Sequence, residues 1–402
     1  MSCPNRPTWT LSMPAALFLM SPFDVLASLA MDIYLPVVPS MPGVLGTSPA
    51  IVQLTLSLYM VCLGLGQLVF GPISDRIGRR PVLIGGALSF AAASFLVAGT
   101  SFAPAFLALR IVQALGASAM LVAVFATVRD VYAQRPESAV IYGMLGSLLS
   151  FVPALGPIAG ALIANSVGWR AIFVTLGILA AAATLNALPK WHETRPLNDG
   201  PAQAAFGPIL RNFAFWTYTL AFAAAMGSFF VFFSTAPRIL IGQAGFSQVG
   251  FSLAFATAAF AMIVISRFAK TFVARWGIAG SAARGMAMLL LGAVLVAAGE
   301  IFATPSFATF VVPMWIIAIG IVFTASVTAN GALEPFGDVA GTAVALYFCL
   351  QSVIVSVAGT LLVIILDGDT AWPLAGYAAG FALATLFALR RLRSSTQEKR
   401  IE

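Results

Sequence analysis

Residues 52–99 read VQLTLSLYMVCLGLGQLVF, then GPISDRIGRRP, then VLIGGALSFAAASFLVAG. Two apolar runs, of 19 and 18 residues, flank an eleven-residue segment that holds four charged side chains. The hydrocarbon core of a bilayer takes about 20 apolar residues of helix, so this stretch predicts two membrane-spanning helices joined by a short polar loop. The runs are continuous and do not alternate, which excludes a membrane β-barrel.

The whole chain has the composition of a helical membrane protein. Of its 402 residues, 60% are hydrophobic and 9% are charged, whereas a soluble domain has about 25% charged residues. A soluble enzyme, a disordered protein and a coiled coil are therefore excluded. The net charge of +7 does not indicate nucleic acid, because the basic residues lie in short loops between apolar runs, where topology signals lie.

Twelve spans follow from the length and hydropathy of the apolar runs. They are predicted at 14–38, 50–72, 81–100, 104–128, 138–164, 168–189, 213–235, 246–268, 280–303, 307–329, 338–366 and 370–390. A more polar stretch separates the sixth span from the seventh. We therefore predict an all-α membrane protein with a six-helix bundle at 1–189, a cytoplasmic linker at 190–212 and a second six-helix bundle at 213–402.

The distribution of basic residues predicts the orientation. With the N-terminus inside, 18 of the 21 Lys and Arg residues fall in inner segments, and only Arg170 and Arg238 fall in outer loops. Cytoplasmic loops carry the excess of Lys and Arg in helical membrane proteins. We expect both termini to be cytoplasmic.

Three ionisable residues lie inside predicted spans: Asp24 and Asp32 in the first, and Arg110 in the fourth. Each costs about 2.5–3.5 kcal/mol at the bilayer centre on insertion scales, so such residues are usually partnered or functional. The two acids differ by about 80° in direction and about 12 Å along a helix, so both can face one cavity. One interpretation is an acid–Arg110 pair that only fixes packing. The other is a proton-linked switch in which an acid gains and loses the nearby guanidinium.

No cofactor or metal is expected. The sequence has one His, His192, and three Cys, of which Cys62 and Cys349 lie in apolar runs. This set fits neither a metal cluster nor a disulfide framework.

The loop at 71–81 and the fifth span carry unusual glycine and proline spacing. Gly71 and Gly78 permit a tight turn, and Asp75 can attract a helix end. The loop's basic residues are expected to anchor it to the inner face: Arg76, Arg79 and Arg80. The fifth span carries two prolines, which tend to bend a helix, and two glycines that admit a neighbouring helix: Pro153, Gly156, Pro157 and Gly160.

Four segments resemble signatures of the major facilitator superfamily. Gly71–Arg80 resembles its loop signature, and RIVQALG at 110–116 is similar to its fourth-helix signature, whose arginine is tied to proton transfer. Pro153–Gly160 resembles the fifth-helix signature of antiporters, and Leu29–Pro36 resembles the first-helix signature of twelve-span drug:proton antiporters. The resemblance implies two six-helix bundles.

Further segments resemble the bacterial chloramphenicol/florfenicol exporters: SPFDVLASLAMDIYLPVVPSMPG, FATVRDVYA, GSFFVFFSTAPRILIGQ, SVTANGAL and DTAWP. This implies export of phenicols in exchange for protons across the bacterial inner membrane by a monomer, with no nucleic-acid partner. Asp24 and Arg110 would be the coupling and binding pair, and Asp32 the second acid. The expected drug-binding residues are Asp24, Arg110, Ser28, Tyr59, Phe229 and Phe230.

The sequence disfavours two other functions. A nutrient symporter on the same fold is disfavoured by the Pro/Gly pattern of the fifth span, and a non-transporting receptor or scaffold would not need Asp24 and Arg110 within the membrane. An enzyme is not expected, because the sequence shows no nucleophile–base set.

Overall fold

The structure, a computed structural model, describes residues 9, 11–132, 137–195 and 206–401, and the side chains of all of these except 137–139, 337–341 and 393–401. Within these ranges every regular element is helical. Twelve of the described helices are long and apolar enough to cross a membrane. The predicted all-α fold with twelve spans is confirmed.

The chain divides into two compact units, Met1–Gln203 and Ala204–Glu402, with the boundary inside the predicted linker. Residues 196–205 of that linker lie outside the described ranges. The first unit holds α1 (Met13–Asp32), α2 (Pro49–Ile77), α3 (Arg79–Gly99), α4 (Ala103–Tyr132), α5 (Glu137–Val167) and α6 (Trp169–Lys190). The second holds α7 (Phe213–Pro237), α8 (Gln248–Ser266), α9 (Ala269–Phe302), α10 (Val312–Leu333), α11 (Ala340–Ile365) and α12 (Trp372–Ile401).

Proline and glycine decide where several helices change. The α-helical part of the first span ends at Asp32 and a 3₁₀ helix, Leu35–Ser40, follows it; its two prolines lack the N–H group that an α-helix interior needs. In α9, Gly277 has φ 65° and ψ −177°, which breaks the helix into two parts. The spans are therefore not uniform rods.

The connection between α2 and α3 is tighter than the sequence predicts. Helix α2 continues through Gly71 to Ile77, and Gly78 alone, at φ 110°, makes the turn. The expected turn role of Gly71 is wrong, because it lies within the helix with open space where a Cβ would stand. Gly78 is the residue that the turn requires, since a side chain is disfavoured at that φ.

Glycines bring neighbouring helices together in both units. In the first unit a Cβ on Gly86 of α3 would lie 2.8 Å from the carbonyl oxygen of Gly116 on α4. In the second unit a Cβ on Gly285 of α9 would lie 2.7 Å from the carbonyl oxygen of Gly320 on α10. Small residues allow such close approach within a membrane, where van der Waals packing drives helix association.

The small-residue face of α5 lies against α1. Helix α5 is continuous across its two prolines. A Cβ on Gly156 would lie 2.8 Å from the Cβ of Asp32, and one on Gly160 would overlap the carbonyl oxygen of Ile33. The two glycines thus provide the space that α1 occupies.

Gly160→Ala is expected to lower the free energy of unfolding by about 1–3 kcal/mol, because the added methyl group would collide with backbone that cannot move aside. Gly146→Ala on the same helix is the matched control, since nothing lies within 4 Å of the added group. Thermal unfolding of the two purified variants in detergent checks this. Equal melting temperatures would contradict the close contact between α5 and α1.

Candidate functional site

Asp24 lies within α1 and is fully buried. Neither carboxylate oxygen has a hydrogen-bond partner among the described residues. Ser28, one turn further along α1, is half-buried. A buried carboxyl group without a partner is uncommon, and Asp24 is therefore a first candidate for a group with a chemical role.

Arg110 on α4 is also fully buried. Its Nη1 donates to the carbonyl oxygen of Ala30 at 3.1 Å and to Oε1 of Gln113 at 2.6 Å. Three aromatic rings surround the guanidinium carbon, with centroids at 4.5, 5.4 and 5.8 Å: Tyr59, Tyr34 and Phe173. Aromatic faces attract a cation at such distances, so this surrounding stabilises the guanidinium charge.

The side chain of Gln113 is held in one orientation. Ser94 on α3 donates its hydroxyl hydrogen to the carbonyl oxygen of Phe90 at 2.7 Å, which leaves its oxygen free to accept from Nε2 of Gln113, also at 2.7 Å. Arginine has no acceptor, so the amide oxygen of Gln113 must face Arg110. The hydrogen bonds from Gln113 to Ser94 and from Arg110 to Gln113 therefore hold the guanidinium in place from the α3 side.

Arg110 is not paired with either acid in this structure. No ion pair joins it to Asp24 or Asp32 within the described part of the chain, so a direct Asp24–Arg110 contact is not present in this conformation. The guanidinium binds α1 at Ala30, six residues and about 9 Å along the helix from Asp24. Asp32, whose Cβ lies against Gly156, is covered by α5.

Tyr59 joins the two helices that carry these groups. Its hydroxyl donates to the carbonyl oxygen of Ala27 at 2.7 Å, while its ring lies against Arg110. Tyr59 is among the site residues expected from the sequence, whereas Tyr34, Phe173 and Ser94 are not. Tyr34 lies within the Leu29–Pro36 signature segment, whereas nothing in the local sequence of Phe173 or Ser94 separates them from ordinary packing residues.

The two phenylalanines expected to bind drug have different surroundings on α7. Phe230 is 2% exposed and its ring lies against Gly359 of α11. Phe229 is half-buried, with its ring centroid 5.9 Å from that of Phe255 on α8. In this conformation Phe230 fills space within the second unit, and Phe229 is the more accessible ring.

The loop residues form an ion-pair network at the Gly78 turn. The guanidinium of Arg79 lies 2.6 Å from Asp75 and 2.7 Å from Asp130 at the end of α4. The side chains of Arg79 and Asp130 are each 3% exposed, whereas that of Asp75 is 60% exposed. Arg76 is exposed, and Arg80 donates to the carbonyl oxygen of Leu188 at 2.8 Å. Asp130 was not identified from the sequence.

Asp130→Asn is expected to lower the free energy of unfolding by about 2–4 kcal/mol, because the buried guanidinium of Arg79 would lose a buried counter-charge. Asp75→Asn removes an exposed partner of the same guanidinium and should cost less than about 1 kcal/mol. Thermal unfolding of both variants makes the comparison. A larger loss in Asp75→Asn would show that the buried pair is not the dominant one.

The sequence profile of the Major Facilitator Superfamily matches residues 24–360 of the chain. A Chloramphenicol resistance protein from Pseudomonas aeruginosa is 51% identical over 381 residues, which cover 94% of this chain and 91% of that protein. Multidrug resistance protein D from Escherichia coli (strain K12) is 27% identical over 81% of this chain and 82% of its own length. A solved peptide transporter POT in complex with sulfate has a TM-score of 0.77 at 11% identity and covers 95% of this chain and 94% of that one, which supports the fold alone.

Proposed function

Because the chain belongs to the Major Facilitator Superfamily, we propose that it is a proton-coupled antiporter that exports phenicol antibiotics, chloramphenicol and florfenicol, across the bacterial inner membrane by alternating access. The likeness to the Pseudomonas chloramphenicol resistance protein over nearly the whole chain is the observation that carries this proposal. The protein would be a working monomer with both termini in the cytoplasm, driven by the proton gradient without a cofactor.

Asp24 is the proposed proton carrier. Carboxyl groups inside membrane spans serve as proton relays in pumps and transporters, and this one is buried with both oxygens unbonded within the described residues. The Nε and Nη2 atoms of Arg110 also have no hydrogen-bond partner among the described residues. In the proposed cycle the two side chains approach each other in another conformation, which favours the ionised acid and releases its proton to water. Asp32 acts as the second acid.

Phenicols are uncharged, with an aryl ring and hydroxyl and amide groups. Such a ligand favours an apolar, aromatic-lined cavity with a few polar anchors. The proposed aromatic contacts are Phe229 and Phe230, and the proposed polar contacts are Asp24, Ser28, Tyr59 and Arg110. Since a neutral drug cannot expel a proton by repulsion, competition would come from its hydrogen bonds to the Asp24 carboxyl group.

The proton gradient supplies enough energy for this exchange. Moving one charge down about 150 mV releases about 3.5 kcal/mol, which corresponds to about 300-fold accumulation at one proton per drug. A ratio of that size between the drug concentrations outside and inside the cell is sufficient to lower the intracellular drug concentration substantially.

Cells that carry the wild-type protein are expected to tolerate more chloramphenicol and florfenicol than a sensitive host, and a protonophore should remove the difference. Asp24→Asn should abolish the resistance, because an amide cannot carry the proton. Asp367→Asn is the control: it removes a carboxylate that is 67% exposed, and asparagine tolerates its positive φ of 58°. The measurement is the minimum inhibitory concentration at equal amounts of membrane-inserted protein.

Normal resistance in Asp24→Asn would overturn the proton-carrying role of that residue. Absence of resistance in wild-type cells, at verified expression, would overturn phenicol export.

A further inference from the structure

The carboxylate of Glu193, a residue that follows α6, closes the Gly78 turn. Oε1 accepts the backbone N–H of Arg79 at 2.8 Å, and Oε2 accepts that of Arg80 at 3.1 Å. These donors belong to the first turn of α3, whose N–H groups have no acceptor within the helix. A negative charge is also favoured at a helix N-terminus, so Glu193 caps α3 from a distant part of the chain.

The Glu193 carboxylate also forms hydrogen bonds with the two residues that follow it in the chain. Oε1 also accepts the backbone N–H groups of Thr194 and Arg195, both at 3.0 Å. The guanidinium of Arg195 then donates to the carbonyl oxygen of Arg76 near the end of α2. The side chains of Glu193 and Arg195 thus join the start of the linker to α3 and α2, the helices on either side of the turn.

The absence of a side chain at Gly78 leaves the space that the Glu193 carboxylate occupies. A Cβ at this position would overlap the Glu193 carboxylate, and the backbone φ of 110° disfavours any side chain. The glycine therefore meets two requirements, the geometry of the turn and the space that Glu193 occupies.

Two neighbours of Glu193 attach the segment to other helices. The ring centroid of Trp191, which is 1% exposed, lies 6.0 Å from that of Phe23 on α1. Thr194 is fully buried, and its hydroxyl lies 3.5 Å from that of Thr127 on α4. We call Trp191–Arg195 the clasp; it contacts α1, α2, α3 and α4.

The clasp and the ion-pair network converge on one residue. Glu193 holds the backbone of Arg79, while Asp75 and Asp130 hold its side chain. A shift of the α3 N-terminus would move the guanidinium away from the buried Asp130 carboxylate. The position of the clasp is therefore coupled to the ion pairs by which Arg79 joins Asp75 on α2 to Asp130 on α4.

We propose that Glu193 is a positioning residue that holds the Gly78 turn in the geometry where Arg79 reaches both carboxylates, and that it thereby sets the rate of transport and not the affinity for drug. This rests on the transport activity proposed above. On this proposal the start of the linker after α6 influences the transport rate, whereas its composition alone predicts only a polar connection between the two bundles.

The structural half of the proposal is tested by hydrogen exchange of the full-length purified protein. Glu193→Ala should raise the exchange rates of the amides at 78–80 and 194–195 about tenfold, the effect of losing a charge-assisted hydrogen bond. Glu193→Gln, which keeps one acceptor oxygen, should fall between Glu193→Ala and wild type. Unchanged protection at 78–80 in Glu193→Ala would overturn the proposal.

The functional half is tested in proteoliposomes with chloramphenicol. Glu193→Ala should lower the transport rate about fivefold to tenfold and leave the Kd for the drug unchanged. Glu300→Gln is the matched control, since the Glu300 carboxylate accepts the Ala371 N–H at 3.1 Å just before α12, away from the Gly78 turn.

An unchanged rate, or a Kd that weakens in step with the rate, would overturn the proposal. If wild-type protein carries no phenicol, the proposed function fails, and hydrogen exchange still decides whether Glu193 holds the turn.

Discussion

A charged side chain within the hydrocarbon of a bilayer must be stabilised by its neighbours or give up its charge. Arg110 meets this requirement with a carbonyl oxygen, an amide oxygen and three aromatic faces. Asp24 has no such partner within the described residues. This difference supports the proposal that Asp24 carries the exchanged proton and that Arg110 keeps its positive charge.

In the first unit, the Asp24 carboxyl group has no hydrogen-bond partner among the described residues, whereas the Gly78 turn is held by ion pairs and hydrogen bonds. Around the Gly78 turn, Asp130 pairs with the Arg79 guanidinium, and Glu193 accepts the backbone N–H groups of Arg79 and Arg80. At the level of Asp32, α5 lies directly on α1 because Gly156 leaves the space. Under the proposed function, Asp24 is the group that would respond to ligand, because packed helices shift between discrete arrangements.

The length and hydropathy of the apolar runs were sufficient to predict the twelve spans, because a span is a property of about 20 consecutive residues. The partners of Arg110 were not predictable in the same way, since a pairing with Asp24 and a docking at Ala30 differ by about 9 Å along one helix. Asp130 and Glu193 lie 51 and 114 positions from Arg79, so only the fold reveals their contact. Gly71 was misjudged because the helix continues past it, which the glycine content of the loop does not reveal.

The proposed exchange requires that drug binding removes a proton from Asp24. Infrared difference spectroscopy on the purified protein at neutral pH, with and without chloramphenicol, tests it directly against Asp24→Asn. The wild-type protein is expected to lose the absorption of a protonated carboxyl group when drug is added, and Asp24→Asn is expected to show no such change. A carboxyl absorption that does not change with drug, or an equal change in Asp24→Asn, would overturn the role of Asp24 as proton carrier.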